Sequence, residues 1–269
     1  MQVIYEPKGR AGEYSHLALN LFAGCQHRCS YCYVPASMRM SRQKWEGRGF
    51  TVREGVLSAL LKDAPKYSGT MKRVLLSFTT DPYQPQPHSQ IVTRDALTIL
   101  HDCNVPFQVL TKGGTRAVAD FDLYSDKDAF AVTLTDVSGA WSHLEHGTAS
   151  SRDRMAALTE AHCRGIETWV SLEPVFDPRD SLDVIRRAWD VVDVFKIGKL
   201  NYDKQREDQI DWARFVHEAV GLCEKYEVRY YIKADLARYW SNRRYKLQNT
   251  DNRMADWRRH HRKYRRAVT

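Results

Sequence analysis

With 269 residues, 43% of them apolar and 11% aromatic, the chain is long enough to bury a sizeable core as one large domain or two small ones, which excludes collagen-like, mucin-like and small disulfide scaffolds. It has no run of about eighteen apolar residues, and the opening MQVIYEPKGRAGEY has no apolar stretch after its charges. Neither a transmembrane helix nor a secretory signal is therefore expected, and the location implied is cytoplasmic. The net charge of +8 is unevenly placed: of 41 Lys and Arg and 33 Asp and Glu, ten and two lie from Arg243 onward, leaving 31 of each before it. This predicts a neutral body domain over 1–242 and a basic tail over 243–269 that meets a polyanion.

In chain order, β-rich runs alternate with helical patterns. Strands are predicted at Leu17–Phe22, Arg73–Ser77, Phe107–Leu110, Ala129–Thr133, Glu167–Leu172, Val194–Ile197 and Arg229–Ile232. Between them, Val56, Leu57, Leu60 and Leu61 mark one helix, and Ala96, Leu97, Ile99 and Leu100 a second. Met155, Leu158 and Ala161 mark a third that stops at Gly165. Leu182, Ile185, Trp189 and Val192 mark a fourth, with Asp180 or Ser181 as its N-cap, and Phe215, Ala219 and Leu222 a fifth. Such alternation implies parallel βαβ units, and six or seven of them suggest an open (β/α) barrel. Functional residues then belong at the C-terminal ends of the strands.

Those ends are polar. They read Ser77-Phe-Thr79-Thr80-Asp81, Thr111-Lys112-Gly-Gly114, Thr133-Leu-Thr135, Ser171-Leu-Glu173-Pro174, Gly198-Lys199-Leu-Asn201 and Lys233-Ala-Asp235. Lys112, Lys199 and Lys233 are expected to place three cations on one rim, where they suit a carboxylate or phosphate. His16, His27 and His88 fall near the same rim, but a lone His is more often a surface or hydrogen-bonded residue. Met38, Met40 and Trp45 are read as packing residues.

Three of the six cysteines crowd into Cys25-Gln-His-Arg-Cys29-Ser-Tyr-Cys32, a C-x3-C-x2-C spacing in a polar loop. Clustered thiolates suit soft metals or an iron–sulfur cluster. A closed zinc site needs four ligands, and the fourth would be His27 or a distant residue. A 4Fe–4S cluster held by three Cys leaves one iron open. The spacing, with Tyr31 just before the third Cys, resembles the radical S-adenosylmethionine (SAM) enzymes, in which the open iron is chelated by the amino and carboxylate groups of SAM. A zinc knuckle or buried thiols is the competing reading. Cys103 and Cys163, near helix C-termini, and Cys223, on an apolar helix face, are read as structural.

A closer resemblance is carried by Lys8-Gly-Arg10, Glu13-Tyr-Ser15, Asn20, Cys25 through Tyr33, Ser77 through Pro85, Leu110 through Gly114, Trp169 through Pro174 and Lys196 through Asn201. These segments look like spore photoproduct lyase-like radical SAM proteins, over about Ile4 to Leu236. The resemblance implies a partial (β/α)6-type barrel with a 4Fe–4S cluster on Cys25, Cys29 and Cys32. It implies that Tyr31 contacts the SAM adenosyl group, that Ser77, Thr79, Thr80 and Asp81 form the turn near its amino group, and that Lys112 pairs with its carboxylate. Thr133 or Thr135 falls where a hydroxyl contacts the ribose, and Glu173 and Lys199 are grouped with the cofactor residues. Reductive cleavage of SAM would yield a 5′-deoxyadenosyl radical that takes hydrogen from a pyrimidine, thymine-derived, in DNA, so that a one-electron donor such as flavodoxin or ferredoxin is also implied. The lyase has a Cys beside its Thr-Ser-Asp segment that returns the hydrogen. Ser77 through Asp81 offers no thiol, while Tyr31 and Tyr33 match a tyrosine pair that relays the radical.

Substrate contacts are expected from Tyr83, Lys199, Asn201 and Lys233, and from Arg258 and Arg259 of the tail. The tail interleaves Trp257 and Tyr264 with basic residues, which suits phosphate contacts and base stacking or, equally, a docked helix with a basic outer face. Lys8, Arg10, Arg39 and Arg42 could help hold the backbone, although surface Lys and Arg are common. DNA is favoured over RNA, and no membrane partner is expected. The alternatives are a radical SAM enzyme acting on RNA, a nucleotide or a peptide, and a zinc-containing nucleic-acid-binding module without catalysis.

Overall fold

A computed structural model describes residues 2–240 of the chain. The basic tail, with Arg258, Arg259, Trp257 and Tyr264, lies outside the described residues. Among the described residues nine strands occur: β1 (Leu17–Leu19), β2 (Phe22–Ala23), β3 (Thr51–Val52), β4 (Val74–Leu76), β5 (Phe107–Thr111), β6 (Ala129–Thr133), β7 (Glu167–Leu172), β8 (Val194–Ile197) and β9 (Arg229–Ile232). Seven of them pair in parallel in the order β1-β4-β5-β6-β7-β8-β9, while β2 and β3 form a separate antiparallel pair. The sheet therefore curls as an open α/β barrel with β1 and β9 as its edges, as the alternating pattern predicts. In this register Leu19 lies beside Leu76, Thr111 beside Val132, Thr133 beside Ser171 and Ile197 beside Ile232, which aligns the C-terminal ends at one rim.

Each strand divides its residues between two faces. Val74, Leu76, Phe107, Val109, Phe130, Val132, Val170 and Leu172 join one large core with helix residues such as Leu97, Leu158, Ile185 and Phe215. The alternate set, Leu75, Ala129, Ala131, Trp169 and Val194, packs inside the barrel with Tyr14 and Phe78. The small Ala129 and Ala131 leave room there for the Trp169 and Tyr14 rings, whose centroids are 5.9 Å apart. Deeper, at the N-terminal ends of the strands, Glu167 receives Arg73 at 2.7 Å and Arg229 at 2.9 Å, so this end is closed by paired charges. The open edge is crossed by the N-terminal segment. Tyr5 bridges Ala18 of β1, and further along Glu13 accepts from the Tyr231 hydroxyl of β9 at 3.1 Å and from Ala234 N at 2.7 Å.

Two local expectations change. The run Leu17–Phe22 is not one strand: β1 ends at Leu19 and the chain re-enters a strand only at Phe22. Asn20 interrupts it because its side-chain carbonyl is needed elsewhere, as described below. The fourth helix, Pro178–Ala188, is capped by Asp177 rather than Asp180 or Ser181; the Asp177 carboxylate accepts from Arg179 N, and Pro178 takes the first helical position, where a missing N–H costs nothing. The other helices fall where the periodicity puts them, at Val56–Asp63, Pro87–Asp102, Ser151–Cys163 and Trp212–Lys225. Among the described residues no helix is long and apolar enough to cross a membrane.

Candidate active site

A cavity of about 530 Å³ opens at the C-terminal rim. All three clustered thiols line it: Cys25, Cys29 and Cys32. Their loop leaves β2 at Gly24, whose φ is 79° and where a Cβ would lie 1.7 Å from the Gly49 carbonyl oxygen, so only glycine fits. The loop backbone is held from several sides. Arg42 donates to Cys29 O and Cys32 O, each at 3.0 Å. Gln84 accepts from Gln26 N at 2.7 Å, and Ser30 N donates to Leu144 O at 2.9 Å. Burial pushes the Cys25 thiol up to about 12 and the Cys29 thiol up to about 11. Cys103 and Cys163 sit at helix C-termini and Cys223 is buried in the core, away from this loop.

The turn after β4 forms the next stretch of wall. Ser77, Thr79, Thr80 and Asp81 all line the cavity. Asn20 accepts from Phe78 N and Thr79 N, each at 3.0 Å, and donates to the Tyr5 hydroxyl at 2.7 Å, so it fixes the turn. Asp81 accepts from Tyr83 N at 2.9 Å, Thr111 Oγ1 at 2.5 Å and Lys112 N at 2.7 Å, and lies 3.4 Å from His27 Nδ1. Burial alone would raise its carboxyl, but His27 and these donors outweigh burial and hold it well below the usual carboxylate range. His27 is buried and lines the cavity, and among the described residues its Nε2 has no hydrogen-bond partner. His88 is exposed and His16 is half-buried, and neither lines the cavity.

Lys112 projects from the end of β5 into the cavity, 5.5 Å from the centre of the Tyr31 ring. Burial works against its ammonium, yet Cys29 and Glu145 beside it hold its pKa above the ordinary lysine value. Among the described residues its ammonium makes no hydrogen bond or ion pair. Tyr31 is locked in place: its hydroxyl donates to Glu145, which also pairs with the fully buried Arg154, and its ring meets Phe176 edge-on at 5.2 Å. Burial pushes the Tyr31 hydroxyl well above its usual range. Tyr33 is 42% exposed and donates to Phe78 O at 2.6 Å.

The opposite wall, at the ends of β7 to β9, is arranged differently. Glu173, Lys199, Asn201 and Lys233 line the cavity, but the two lysines are not available as a cationic rim. Lys233 is paired with Glu173, which also accepts from the Tyr14 hydroxyl at 2.8 Å and from Asn201 Nδ2 at 3.1 Å. Lys199 is 1% exposed, pairs with Glu207 and sits 5.4 Å from the Trp212 ring and 5.6 Å from that of Tyr239. The expected trio of cations is thus a single free ammonium, that of Lys112. Thr133 lines the cavity, whereas Thr135 is buried away from it. Tyr83 is also corrected: it is fully buried and donates to Asp120 at 2.7 Å, under Gly113. Trp45 packs as expected, but Met38 is exposed. Sequence reading missed Glu145 and Arg154 as supports and named Asn20 only within the resemblance, without a role; its signal was a lone amide inside an apolar run.

Seven parallel strands in chain order, with a thiol-bearing loop and polar strand ends at one rim, form a fold that the chain shares with solved structures of two radical SAM enzymes. In particular, the fold is that of a spore photoproduct lyase variant with bound AdoMet and dinucleoside spore photoproduct, at a TM-score of 0.65 and 16% identity over 86% of this chain and 78% of that one. SuiB of Streptococcus suis, bound to S-adenosylmethionine, shares it at a TM-score of 0.62 and 8% identity, over 86% of this chain and 53% of that one. No protein-family model matches the chain. In sequence it is 26% identical over 169 residues to an uncharacterised protein of Methanocaldococcus jannaschii and 25% over 190 residues to one of Acidianus two-tailed virus. It is 27% identical over 169 residues to an uncharacterised protein of Mycobacterium tuberculosis. These matches span 62%, 61% and 48% of the relatives, so the chain covers less than two thirds of each.

Proposed function

We propose that the chain is a radical SAM enzyme that takes hydrogen from a thymine-derived pyrimidine in DNA, as a repair or base-modifying activity. The observation that carries this reading is the convergence of Cys25, Cys29, Cys32, Tyr31 and the unpaired Lys112 ammonium on one cavity, in a fold shared with enzymes that bind SAM. The donor set suits a 4Fe–4S cluster. Three thiols line one cavity, and each can bind a separate iron of a polynuclear cluster, leaving the fourth iron open. Cys25, Cys29 and Cys32 would hold the cluster, and the pair of cluster and SAM, when bound, supplies a 5′-deoxyadenosyl radical able to take hydrogen from carbon.

The remaining roles belong to the chain's own residues. Lys112 offers an ammonium to the SAM carboxylate, and the Ser77–Asp81 turn, set by Asn20, lies beside it to receive the amino group. Tyr31, fixed by Glu145, walls the adenosyl side, with Thr133 within the same cavity. Glu173, already paired with Lys233, forms part of the far wall without adding net charge. The lyase neighbour was solved with a dinucleoside spore photoproduct, and this, with the basic tail, supports DNA as substrate. With no thiol between Ser77 and Asp81, Tyr33 is the candidate hydrogen donor. A one-electron donor such as flavodoxin or ferredoxin completes the reaction.

Anaerobic turnover with deuterated, thymine-containing oligonucleotides, read by mass spectrometry, tests this directly. Deuterium is expected to move into 5′-deoxyadenosine. Release of unlabelled 5′-deoxyadenosine with every DNA tried would exclude DNA as the substrate.

A further inference from the structure

Tyr202 lines the cavity and is 69% exposed, which places it at the mouth. Its φ is 67°, in the left-handed region that a bulky side chain rarely adopts. Among the described residues four other non-glycine residues have a positive φ, Arg28, Arg39, Asn104 and Glu227, and none of them lines the cavity. Such a backbone persists only where its surroundings hold it. Here the neighbouring Asn201 does so. Its amide donates to Glu173 at 3.1 Å, to Lys199 O at 3.2 Å and to Asp235 at 3.2 Å, and its side-chain carbonyl accepts from Arg10 at 2.9 Å.

Arg10 belongs to the N-terminal segment, so its bond to Asn201 ties that segment to the turn after β8 and sets a guanidinium next to the Tyr202 turn. The guanidinium lies 3.6 Å from Asp235 and its side chain remains 57% exposed. Lys8, two residues earlier, is exposed and also lines the cavity. Among the described residues its ammonium makes no hydrogen bond or ion pair. The mouth therefore combines an uncovered aromatic ring with two cations from a separate segment. Tyr33, the candidate hydrogen donor, lines the same cavity and is 42% exposed.

An aromatic ring offers a stacking face, and a guanidinium and an ammonium offer partners for phosphate oxygens. A nucleotide supplies both a π-face and an anion, whereas an apolar substrate would leave the two cations unmatched. We propose that Tyr202 stacks on one base of a single-stranded or extruded DNA segment, with Lys8 and Arg10 holding the phosphates beside that base. The proposal rests on the reading of DNA as the substrate and assigns a subsite within it. Stacking accepts any base, so this subsite positions the strand at the mouth and leaves base choice to the interior. It concerns binding alone, and no bond forms or breaks at Tyr202.

The test uses the full reconstituted chain with SAM and no reductant. The probes are a thymine tetranucleotide and its abasic counterpart, whose affinities are measured by calorimetry at low salt. Tyr202→Ala is expected to weaken binding of the thymine strand about tenfold and to leave the abasic strand unchanged. Tyr202→Phe, which keeps the stacking face, is expected to match the parent. Lys8→Met is expected to make the salt dependence shallower by about one phosphate contact, and an unchanged slope would overturn the part given to Lys8. An abasic strand weakened as much as the thymine strand by Tyr202→Ala would show that the ring acts on the fold, and would overturn the proposal. Equal affinity of the parent and Tyr202→Ala for the thymine strand would remove this subsite and leave DNA as the substrate. A parent that binds no tetranucleotide would overturn the subsite and the DNA reading together.

Discussion

Along the wall formed by the thiol loop and the ends of β4 and β5, groups are held in place but not neutralised. Among the described residues Lys112 has no ion-pair partner, and the three thiols have no disulfide partner. Along the wall at the ends of β7, β8 and β9, Lys233 ends on Glu173 and Lys199 on Glu207. Both walls carry lysine, one on the first and two on the second, yet only the first can meet a ligand's negative charge without breaking an ion pair. A cation is informative only together with its counter-charge, and a buried pair carries little net field into the cavity.

Substitutions can break this contrast, in descending order of effect. Replacing Cys29 with Ala is expected to reduce iron uptake from about four per chain to background, read by metal analysis of anaerobically reconstituted protein. Retention of full iron by that variant would remove the thiol wall from the account. Glu173→Ala strands the Lys233 charge and is expected to cost about 3–5 kcal/mol in denaturant unfolding, most of it recovered in Glu173→Ala/Lys233→Met. An unchanged midpoint would show that the far wall is not held by this pair.

Lys112→Met is expected to leave unfolding nearly unchanged and to weaken SAM binding about 10- to 100-fold, the worth of one charge-assisted contact. Lys199→Met should alter SAM affinity far less, and equal losses in the two would erase the difference between the walls. The smallest effect concerns acid. The folded carboxyl of Asp81 lies below its unfolded value, so its contribution to stability is complete above the ordinary carboxylate range. It is lost as pH falls below about 4 toward the depressed folded value. Asp81→Asn should flatten that part of a stability–pH curve, and an identical acid limb would contradict it.

Much of the fold was legible because parallel strands buried on both faces read as short apolar runs. Ala129–Thr133, Glu167–Leu172, Val194–Ile197 and Arg229–Ile232 begin and end where the sequence places them. Leu17–Phe22 was misread because apolar continuity hides Asn20, whose backbone leaves the strand so that its amide can bind the Phe78 and Thr79 N–H groups. The thiol loop was legible from spacing alone, since its ligand candidates are local. The far wall was not, because the pairings Lys233–Glu173 and Lys199–Glu207 depend on how separate segments meet. Tyr83 shows the same limit: its position after a strand end suggests the rim, and only packing turns its hydroxyl inward to Asp120.

The central claim is that Cys25, Cys29 and Cys32 hold a four-iron cluster. Anaerobic reconstitution with iron and sulfide, followed by metal and sulfide analysis and visible absorbance, tests it most directly. The account predicts a brown protein with about four irons and matching sulfide per chain that releases 5′-deoxyadenosine when given dithionite and SAM. A colourless protein that binds zinc alone would contradict it.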